Sequence, residues 1–525
     1  MRLPGGRWLF VAAILAVVAG GGLALRWHGE GARVRRAAGE SADAFVVTGA
    51  PGSSIEGFGG TIGWIYPHET IREEVADLLF DDLGVSVLRV RAFCKNDDPT
   101  DEGSLESAND DADPNHFRWE AFDFEGCEKE QALLCQGALK RGTGTFIATA
   151  WSPPGWMKEN GSRKNGASVR EDCFAEFAEL WAAYLLGMEK NYGVRFSRVA
   201  ILNEPDVYPR PYATCQMAPE AYARLCETVA GKFSREKISA GILGPDTSRM
   251  ESFLGYAEAL RGRAAAWERT DALSMHLYHL GRDFYDVDGN RDEWRAFRAF
   301  AAAAGKPLWM TEFSNYKDAF SGADPGSARE ALAWAHHLHL ALTEGNCAAV
   351  LWWNLFFDKR EESILYAEKS GAKTYEITPK YHTSKNFFRY IRPGMTRLEV
   401  LPPAGLPPGN PAASDSGVLV SAYSGAHGRD GTIVALNLSK EPRPLSIRFV
   451  SSAAWRPASL NRLRTIAGDA GKVLPAVPVS GGRLVDTLPP QSVTTYTTFP
   501  TKEIPANLRG LAKPSGDGAR AKPIP

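Results

Sequence analysis

Two glutamates, Glu204 and Glu312, each follow a short apolar run of the chain. The run Val199–Leu202 has the length of a buried strand, and it must stop at Pro205, which has no N–H to donate to a neighbouring strand. Glu312 ends a second run, within Leu308–Asn315. Glycosidic bond cleavage needs one carboxylic acid to protonate the leaving oxygen and one carboxylate to attack the anomeric carbon. The two glutamates are candidates for this pair.

Helix-like and strand-like segments alternate from Gly57 to Asn354. This alternation is typical of an α/β barrel, where catalytic residues collect at the carboxyl ends of the strands. We count eight strand candidates and predict a (β/α)8 TIM barrel, with Glu204 at the end of the fourth strand and Glu312 at the end of the seventh. After the first, at Gly57, the strand candidates are Val85–Val90, Thr145–Ala150, Val199–Leu202, Ile238–Gly244, Ala272–His276, the run ending at Glu312, and Ala348–Trp353.

Beyond Pro393 the pattern changes to short alternating runs separated by turn residues. This pattern predicts a small antiparallel β-sandwich beside the barrel. The early strand candidate Ala44–Val47 precedes any barrel element, and we expect it to pair with the sandwich. The predicted divisions are 44–55 for this strand segment, 56–390 for the catalytic barrel and 391–499 for the sandwich. The sandwich strand candidates are Val418–Tyr423, Thr432–Asn437, Leu445–Val450 and Gln491–Thr498.

The two ends of the 525-residue chain differ from its middle. Basic residues precede the apolar stretch Trp8–Leu25, which predicts a signal peptide or an N-terminal membrane anchor over residues 1–26. Residues 27–43 are expected to be a tether, and the Pro-, Lys- and Gly-rich residues 500–525 a disordered tail. The predicted location is outside the cytoplasm: periplasmic, extracellular or membrane-anchored and facing outward.

The charge and the cysteine content bear on which partners and metal sites the chain is expected to have. The net charge is −2 and no basic stripe is present, so the sequence gives no reason to expect nucleic acid as a partner. The seven cysteines leave at least one thiol free, and their pairing stays open. No Cys-x-x-Cys pair or His/Cys cluster indicates a metal site. We expect neither a metal nor a cofactor. We also expect the protein to be a monomer.

The segment Glu56–Gly63 is dense in glycine. Its glycine spacing is wrong for a dinucleotide-binding turn, and Tyr66-Pro67 follows it where a helix should begin. A strand whose backbone comes close to a ligand or a neighbour is the better interpretation. A nicotinamide oxidoreductase is therefore an alternative that only this segment suggests.

Five short motifs occur in order, at or near predicted strand ends. Together they resemble glycoside hydrolase family 30, over roughly residues 44–499. Leu488–Thr495 also resembles the last strand of the side β-sandwich in that family. The motifs are Gly57-Phe58-Gly59-Gly60, Trp151-Ser152-Pro153-Pro154, Asn203-Glu204-Pro205-Asp206, Trp309-Met310-Thr311-Glu312 and Trp352-Trp353-Asn354.

The resemblance implies a retaining β-glycosidase with Glu204 as acid/base and Glu312 as nucleophile. The family acts on polysaccharides such as xylan and β-1,6-linked glucan or galactan, and the chain looks most like its bacterial xylanase branch. Two segments depart from that branch. Residues 96–120, which contain the acidic loop insertion Asn96–Asn115, are unlike that branch, and Leu355–Arg360 differs from the pattern of xylanases that grip a glucuronic acid branch.

Seven further residues are predicted to bind substrate or to support the two glutamates. Asn203 is placed to hydrogen-bond the sugar 2-OH, and Arg89 to hold Glu312 ionised, although each has a structural alternative as a turn cap or an ion pair. Tyr278 resembles the tyrosine that the family places beside its nucleophile. The complete set is Asn203, Arg89, Trp151, Tyr278, His276, Trp353 and Asn354; the two tryptophans would be sugar-facing walls, and His276 could instead be an ordinary core residue.

Two alternatives remain within carbohydrate chemistry. A glucosylceramidase-like exo-β-glycosidase would use the same two glutamates on a smaller substrate. A non-catalytic carbohydrate-binding barrel would keep the aromatic walls but would not need both glutamates, so their joint presence argues against it.

Overall fold

The computed structural model describes residues 43–96, 98, 100–278, 282–316, 320–321, 326–404, 417–450, 455–466, 469–505 and 508. The predicted signal or anchor at 1–26, nearly all of the tether and most of the tail after residue 505 lie outside the described residues. Within these ranges, none of the helices has the length and apolar character needed to cross a membrane.

Strands and helices alternate through the first three quarters of the chain, and strands dominate the rest. The strands are β1 (Phe45–Ser54), β2 (Gly57–Ile62), β3 (Val87–Ala92), β4 (Thr145–Ala150), β5 (Arg198–Ala200), β6 (Gly241–Arg249), β7 (Thr270–Tyr278), β8 (Arg282–Asp283), β9 (Leu308–Glu312), β10 (Phe320–Ser321), β11 (Ala349–Phe357), β12 (Ser363–Tyr366), β13 (Glu376–Ile377), β14 (Thr396–Leu401), β15 (Val418–Ser424), β16 (Gly431–Asn437), β17 (Arg443–Phe449), β18 (Ser459–Ile466), β19 (Asp469–Pro478), β20 (Arg483–Leu488) and β21 (Ser492–Thr497).

The helices lie mainly between the strands of the first part. They are α1 (Glu69–Ala76), α2 (Cys127–Leu139), α3 (Phe174–Tyr192), α4 (Pro219–Arg235), α5 (Met250–Arg261), α6 (Ala264–Arg269), α7 (Arg291–Ala304), α8 (Ala328–Thr343) and α9 (Pro379–Phe388). A π-helical turn, Asp77–Leu83, continues α1 and ends at Gly84 in the left-handed conformation, with φ of 86°.

Eight parallel strands close into a barrel in the order β2, β3, β4, β5, β6, β7, β9 and β11, and β11 pairs with both β9 and β2. The predicted TIM barrel is confirmed. The fourth barrel strand, β5, leads to Glu204, and the seventh, β9, ends at Glu312.

The inward-facing side chains of the barrel strands form two layers, one apolar and one polar. A buried apolar cluster that includes Val87, Ile147 and Trp309 fills the lower part of the barrel. Two residues further along their strands, Arg89 and Thr149 are also completely buried, and their side chains bond to each other. Because side chains of a strand repeat with a period of two, the polar layer lies directly above the apolar layer, toward the carboxyl ends of the strands.

The glycine-rich strand β2 is crowded by its neighbours. A Cβ atom on Gly59 would lie 1.7 Å from the carbonyl oxygen of Val87, and one on Gly60 would lie 2.7 Å from the carbonyl oxygen of Trp352. Side chains larger than hydrogen would therefore force β3 and β11 away from β2. The glycines serve close strand packing, which is the interpretation that the sequence favoured over a dinucleotide-binding turn.

The second domain is a nine-stranded, mostly antiparallel sheet in the order β19, β18, β21, β16, β15, β14, β1, β17, β20. Strand β1 pairs antiparallel with β14 and parallel with β17, so the segment before the barrel lies in this sheet. The sheet encloses a core of its own, in which Phe45, Leu398, Val420, Leu460 and Tyr496 are buried. This side β domain confirms the second part of the predicted fold class.

The last barrel helix joins the two domains. Asn386 of α9 donates to the Thr465 hydroxyl at 2.7 Å, and its Oδ1 accepts a hydrogen bond from Thr495 at 2.9 Å. All three residues are buried. The β domain is thus packed against the outside of the barrel through buried polar contacts as well as apolar ones.

Candidate active site

Arg89 on β3 is the centre of the polar layer in the barrel mouth. Its Nη1 donates to Glu312 Oε2 at 2.6 Å, and its Nη2 donates to Asn203 Oδ1 at 2.7 Å and to Asp246 Oδ2 at 2.9 Å. Nε donates to Thr149 Oγ1 at 3.1 Å. Burial alone would lower the pKa of this fully buried guanidinium, but the charges of Asp246 and Glu312 raise it. The arginine is therefore a fixed positive charge shared by several barrel strands.

Asp246 is a component of the site that the sequence analysis missed. It lies in β6, has a φ of 59°, and follows the cis peptide bond between Gly244 and Pro245. The Thr311 hydroxyl donates to its other carboxylate oxygen in a short hydrogen bond. Burial opposes its ionisation, but the charges of Arg89 and His276 lower its pKa well below the usual range. Asp246 is thus a permanent negative charge behind the two glutamates.

Glu312 is held at both carboxylate oxygens. Oε2 accepts the hydrogen bond from Arg89, and Oε1 accepts one from the Tyr278 hydroxyl at 3.1 Å. The Tyr278 hydroxyl also lies 3.3 Å from Ser314 Oγ. Burial and the neighbouring charge of Glu312 raise the pKa of Tyr278 well above its usual value, so the phenol stays a donor. Two donors on two oxygens leave the carboxylate little rotational freedom.

Glu204 has a backbone conformation that is unusual for a residue with a side chain, with φ of 51°. Its N–H donates to the carbonyl oxygen of Asp246 at 3.0 Å, and its own carbonyl accepts from the N–H of Val207 at 2.9 Å. Left-handed conformations at non-glycine residues cost on the order of 1 kcal/mol and persist where the surroundings enforce them. Pro205 stiffens the following bond. This backbone aims the Glu204 side chain into the barrel mouth.

His276 joins the two glutamates from behind. Its Nδ1 lies 2.8 Å from Glu204 Oε1 and 3.7 Å from Glu312 Oε1, and its Nε2 lies 3.5 Å from Asp246 Oδ2. Burial would lower the pKa of this imidazole, but Glu312, Asp246 and Glu204 raise it to about 10. His276 is therefore an imidazolium near neutral pH and donates to Glu204.

The charges of the cluster determine the protonation of Glu204. Two cations, Arg89 and His276, face two anions, Asp246 and Glu312, so a protonated Glu204 leaves the five buried groups neutral in sum. Burial and the charge of Glu312 raise the pKa of Glu204, while His276 opposes the shift. A buried cluster with no net charge is favoured over one with an excess charge. The site thus combines one neutral carboxylic acid with one anchored carboxylate.

The functional atoms lie close together. One carboxylate oxygen of Glu204, one of Glu312 and a ring nitrogen of His276 all lie within 4.8 Å of one another. This trio has the donor types for a metal ion, but Arg89 already provides a cation 2.6 Å from Glu312. Positive charge is therefore present where an added cation would have to bind.

A cavity of about 480 Å³ opens in front of the glutamates. Three tryptophans line it and contact one another: the Trp64 ring centroid lies 5.0 Å from that of Trp151 and 5.1 Å from that of Trp353. Aromatic faces and edges of this kind bind the apolar C–H faces of sugar rings while their tips contact polar groups. Asn203 and Tyr278 also line the cavity.

The predicted residues divide into two groups around this cavity. Glu204, Glu312, Asn203, Trp151, Tyr278 and Trp353 line it, whereas Arg89 and His276 are completely buried behind the glutamates. Because both side chains are buried, the structure does not support direct contact between either of them and the substrate. They act on the carboxylates and on Asn203.

Asn354 is placed differently from its prediction as a substrate-binding residue. Its side chain is fully buried in β11, and its amide donates to the carbonyl oxygen of Gly63 at 3.3 Å. Its Oδ1 accepts from the N–H of Phe356 at 3.3 Å. Asn354 therefore supports the backbone that carries Trp64, which has a φ of 67°.

Several cavity residues were missed because they lie on loops. Tyr208 is 51% exposed at the cavity, and its hydroxyl accepts a hydrogen bond from Arg249 at 3.2 Å. Asp206 holds the base of this segment by accepting from the N–H groups of Ser248 and Arg249. For Asp246 a signal existed, since it follows a predicted strand; for Tyr208 the sequence contained none.

Comparisons with known proteins agree with this geometry. The chain is 26% identical over 376 residues to glucuronoxylanase XynC of Bacillus subtilis (strain 168), a match over 70% of this chain and 76% of that protein. It is 28% identical over 445 residues to putative glucosylceramidase 3 of Caenorhabditis elegans, over 78% of each chain. A solved structure, the catalytic domain of GH30 xylanase C from Talaromyces cellulolyticus, has a TM-score of 0.69 at 19% identity, covering 87% of this chain and 99% of that one.

The resemblance to glycoside hydrolase family 30 is confirmed. Comparison with protein-family models gives no match. The family 30 assignment rests instead on relatives that match along most of the chain and on structures with the same barrel and side β domain. The enzyme class predicted from the two glutamates, a glycoside hydrolase, is confirmed with it.

Proposed function

We propose that the chain hydrolyses a β-linked polysaccharide with retention, using Glu204 as acid/base and Glu312 as nucleophile. The observation that carries this proposal is the approach of a Glu204 oxygen to a Glu312 oxygen within 4.8 Å. Retaining glycosidases hold their two carboxyl groups about 5–5.5 Å apart, whereas inverting enzymes need about 6.5–9.5 Å to fit a water molecule between them. The short separation supports attack on the sugar by the enzyme itself.

The first step follows from the asymmetric surroundings of the two glutamates. The Glu312 carboxylate, oriented by Arg89 and Tyr278, attacks the anomeric carbon, while neutral Glu204 gives its proton to the leaving oxygen. Asn203 accepts a hydrogen bond from the same Arg89 guanidinium that binds Glu312. It is also placed to hydrogen-bond the sugar 2-OH, and this contact strengthens as positive charge develops on the sugar ring.

In the second step Glu204 is an anion, since it has released its proton. His276 then stabilises it through the contact at 2.8 Å, because an imidazolium beside a carboxylate favours the charged form. Glu204 takes a proton from water, and the resulting hydroxide equivalent releases the sugar from Glu312. Both glutamates return to their starting states.

The substrate class that the site supports is a neutral β-linked backbone such as xylan or a β-1,6-linked glucan. The loop after β11 carries two cations, but each is paired: Lys359 lies 3.1 Å from Glu362, and Arg360 contacts Glu376. Because each cation already has an anionic partner, we do not expect cleavage to depend on a glucuronic acid branch, although Lys359 lines the cavity. The similarity to a putative glucosylceramidase makes exo-cleavage of a β-glucoside the second candidate. A product profile on glucuronoxylan, unbranched xylan, β-1,6-glucan and an aryl β-glucoside separates these substrates.

Azide rescue tests the roles of the glutamates. Glu204→Ala should still be glycosylated by an activated aryl glycoside and then stall, and azide should give the β-azide with retention. Glu312→Ala should lose turnover on all substrates, and azide should enter the vacated space to give the α-azide with inversion. If the anomers are exchanged between the variants, the roles are swapped. Wild-type activity in Glu312→Ala would place the chemistry elsewhere.

We also propose that the protein is exported and acts as a monomer outside the cytoplasmic membrane, with residues 8–25 as a possible tether. A disulfide between Cys94 and Cys127 supports this location, because disulfides persist in oxidising compartments. The other five cysteines are buried and free. A reporter that is active only after export, fused after residue 60, should be active; a stable but silent fusion would contradict export.

A further inference from the structure

The cavity in front of the glutamates has two unlike ends. One end carries the three tryptophans, which lie in or directly after β2, β4 and β11. The other end is formed by the loop after β5 and by the last residue of β6. We call it the tyrosine end, and its lining side chains are Tyr208, Arg210, Tyr212 and Arg249.

The tyrosine end is built on the segment that carries Glu204. The N–H of Val207 donates to the carbonyl oxygen of Glu204 at 2.9 Å, so one tight turn separates Glu204 from Tyr208. In the proposed reaction Glu204 protonates the leaving oxygen, and Glu312 attacks the anomeric carbon from the other side. The group that leaves must therefore lie on the Glu204 side of the cavity, against the tyrosine end.

Tyr208 is an exposed aromatic side chain that is held in place. It is 51% exposed at the cavity. The Cζ atom of Arg249 lies 4.9 Å from its ring centroid, and Nη1 of the same arginine donates to its hydroxyl at 3.2 Å. Asp206 pairs with this arginine at 3.5 Å. An aromatic ring that is both exposed and fixed can stack on the C–H face of a sugar.

Arg210 provides hydrogen-bond donors in the same part of the cavity. Its Nε is buried and has no hydrogen-bond partner among the described residues. A guanidinium has five N–H donors, and a buried donor without an acceptor is destabilising. Because Arg210 lines the cavity, a molecule bound there can supply the acceptors. Sugar hydroxyls, each with two lone pairs, are suitable acceptors.

Tyr212 adds a further donor near the acid/base. Burial raises the pKa of Tyr212 well above its usual value, and the charge of Glu204 adds to this shift. The phenol therefore stays protonated whether Glu204 is neutral or ionised. The tyrosine end thus combines one stacking surface with several polar donors, and this combination suits a sugar unit better than a lipid tail.

We propose that the tyrosine end is a leaving-group subsite for a pyranose unit, with Tyr208 stacking on the ring and Arg210 donating to its hydroxyls. This inference rests on the proposed function, because it needs the glycosyl-enzyme on Glu312. The same subsite binds an acceptor sugar in the second step. A hydroxyl of that sugar gives its proton to Glu204, its oxygen bonds to the anomeric carbon, and the bond from that carbon to Glu312 breaks.

Reactivation of a trapped glycosyl-enzyme tests the subsite. A 2,4-dinitrophenyl 2-deoxy-2-fluoro-β-glycoside of xylobiose or of glucose should label Glu312, as mass spectrometry can verify, and the label should hydrolyse slowly in buffer. Recovery of activity is then followed with xylobiose, gentiobiose or 1-hexanol added. We expect at least one disaccharide to accelerate recovery by about fivefold or more, with saturation, and the apolar alcohol to have no effect.

Variants of the tyrosine end identify where the acceptor binds. Tyr208→Ala and Arg210→Met should each lower the ratio of disaccharide-dependent to spontaneous recovery by about tenfold. Tyr208→Phe keeps the ring and should keep most of this ratio. Tyr366→Ala is the matched control, because Arg360 stacks on Tyr366 with Cζ 4.4 Å from the ring centroid, outside the cavity lining. Its ratio should equal that of the wild type.

The possible failures are distinguishable. If Glu312 is labelled but neither disaccharide accelerates recovery, the subsite is wrong and the nucleophile stands. An unchanged ratio in both Tyr208→Ala and Arg210→Met would have the same meaning. Faster recovery with 1-hexanol than with the disaccharides would assign the tyrosine end to apolar leaving groups. Absence of label on Glu312 would contradict the proposed function itself, and the subsite with it.

Discussion

The two buried carboxylate clusters of this chain solve the same electrostatic problem in different ways. In the barrel mouth, Arg89 and His276 lie among Asp246, Glu204 and Glu312, and every one of these carboxyl groups has a cation within 4 Å. A second group, which we call the loop cluster, lies where the loop after β3 meets helix α3. One oxygen each of Asp110, Glu176 and Glu179 lie within 4.8 Å of one another, and Glu176 and Glu179 hydrogen-bond to each other, which requires a shared proton.

The difference shows what each cluster is suited to do. A cluster with built-in cations has fixed geometry, so its carboxylates are pre-organised for a transition state at no further cost. A cluster without them is neutralised by a proton, so its charge and its contribution to stability depend on pH. Three changes test this distinction, beginning with the largest expected effect.

Arg89→Met removes the central cation of the barrel cluster. We expect kcat/KM on an aryl glycoside to fall by at least about 10³-fold, because Glu312 loses its orienting donor, and stability to fall by about 3–5 kcal/mol, because buried anions lose their partner. Denaturant unfolding and steady-state kinetics measure both effects.

Arg198→Met is the matched control for Arg89. Arg198 also lies on a barrel strand, but away from Glu204 and Glu312. It stacks on Trp309, with Cζ 4.7 Å from the ring centroid, and pairs with Glu56. It should keep kcat/KM within about threefold. Equal losses of activity in both variants would mean that Arg89 contributes only to folding.

His276→Gln removes the second cation. The imidazolium lowers the pKa of Glu204, so the alkaline limb of kcat/KM should move to higher pH in the variant, with kcat/KM lower by about 10–100-fold.

The pH dependence of the free energy of unfolding provides an independent test of the His276 pKa. Because the pKa of His276 is raised to about 10, its contribution to stability is fully present below about pH 6.5 and is lost as pH rises through 10. The stability of His276→Gln should not fall over this pH range. His427→Gln, a change on the exposed surface of the β domain, should lose stability with pH as the wild type does. An unchanged pH–rate profile in His276→Gln would show that the histidine does not tune Glu204.

Glu179→Gln should have the smallest effect, and it should be stabilising at alkaline pH. The pKa of Glu179 is raised to about 9, so the folded state keeps a proton that the unfolded state loses above about pH 4.3. The stability of the wild type therefore falls as pH rises from 4.3 to 9, and the variant should escape this part of the fall. We expect its Tm to exceed that of the wild type by about 1–3 °C at pH 8 and to match it at pH 4.5. A lower Tm at pH 8 would contradict neutralisation of the loop cluster by a proton on Glu179.

Prediction from the sequence succeeded where the determining interactions are local. Strand and helix periods predicted the barrel, because side chains must alternate between core and solvent along each element. Glu204 and Glu312 were chosen because each ends an apolar run, and both line the cavity; their catalytic roles stay predictions. Strand bounds were less exact: the fourth barrel strand is only Arg198–Ala200, and the predicted strand Ile238–Gly244 corresponds to β6 at Gly241–Arg249. Hydrogen bonds to neighbouring strands determine such limits.

Prediction failed where residues distant in the chain decide a side chain's role. Asn354 follows two tryptophans in a motif, yet its amide bonds to the Gly63 backbone and not to the cavity. Asp246 follows a predicted strand, but it becomes part of the site only because the backbone of β6 turns it toward Arg89. Similarly, β14, β18, β19 and β20 complete the second sheet without having been identified among the alternating runs.

The sequence alone thus determined the fold class, the order of the barrel strands and the places of Glu204 and Glu312 at strand ends, because periodic burial and chain-breaking residues are local properties. Tertiary structure decided the electrostatics. Only barrel closure brings Arg89, Asp246 and His276, separated by up to 187 positions, into hydrogen-bond distance in a buried site. The protonation of Glu204 and the anchoring of Glu312 depend on that proximity, since the interaction between charges grows as distance and local dielectric fall.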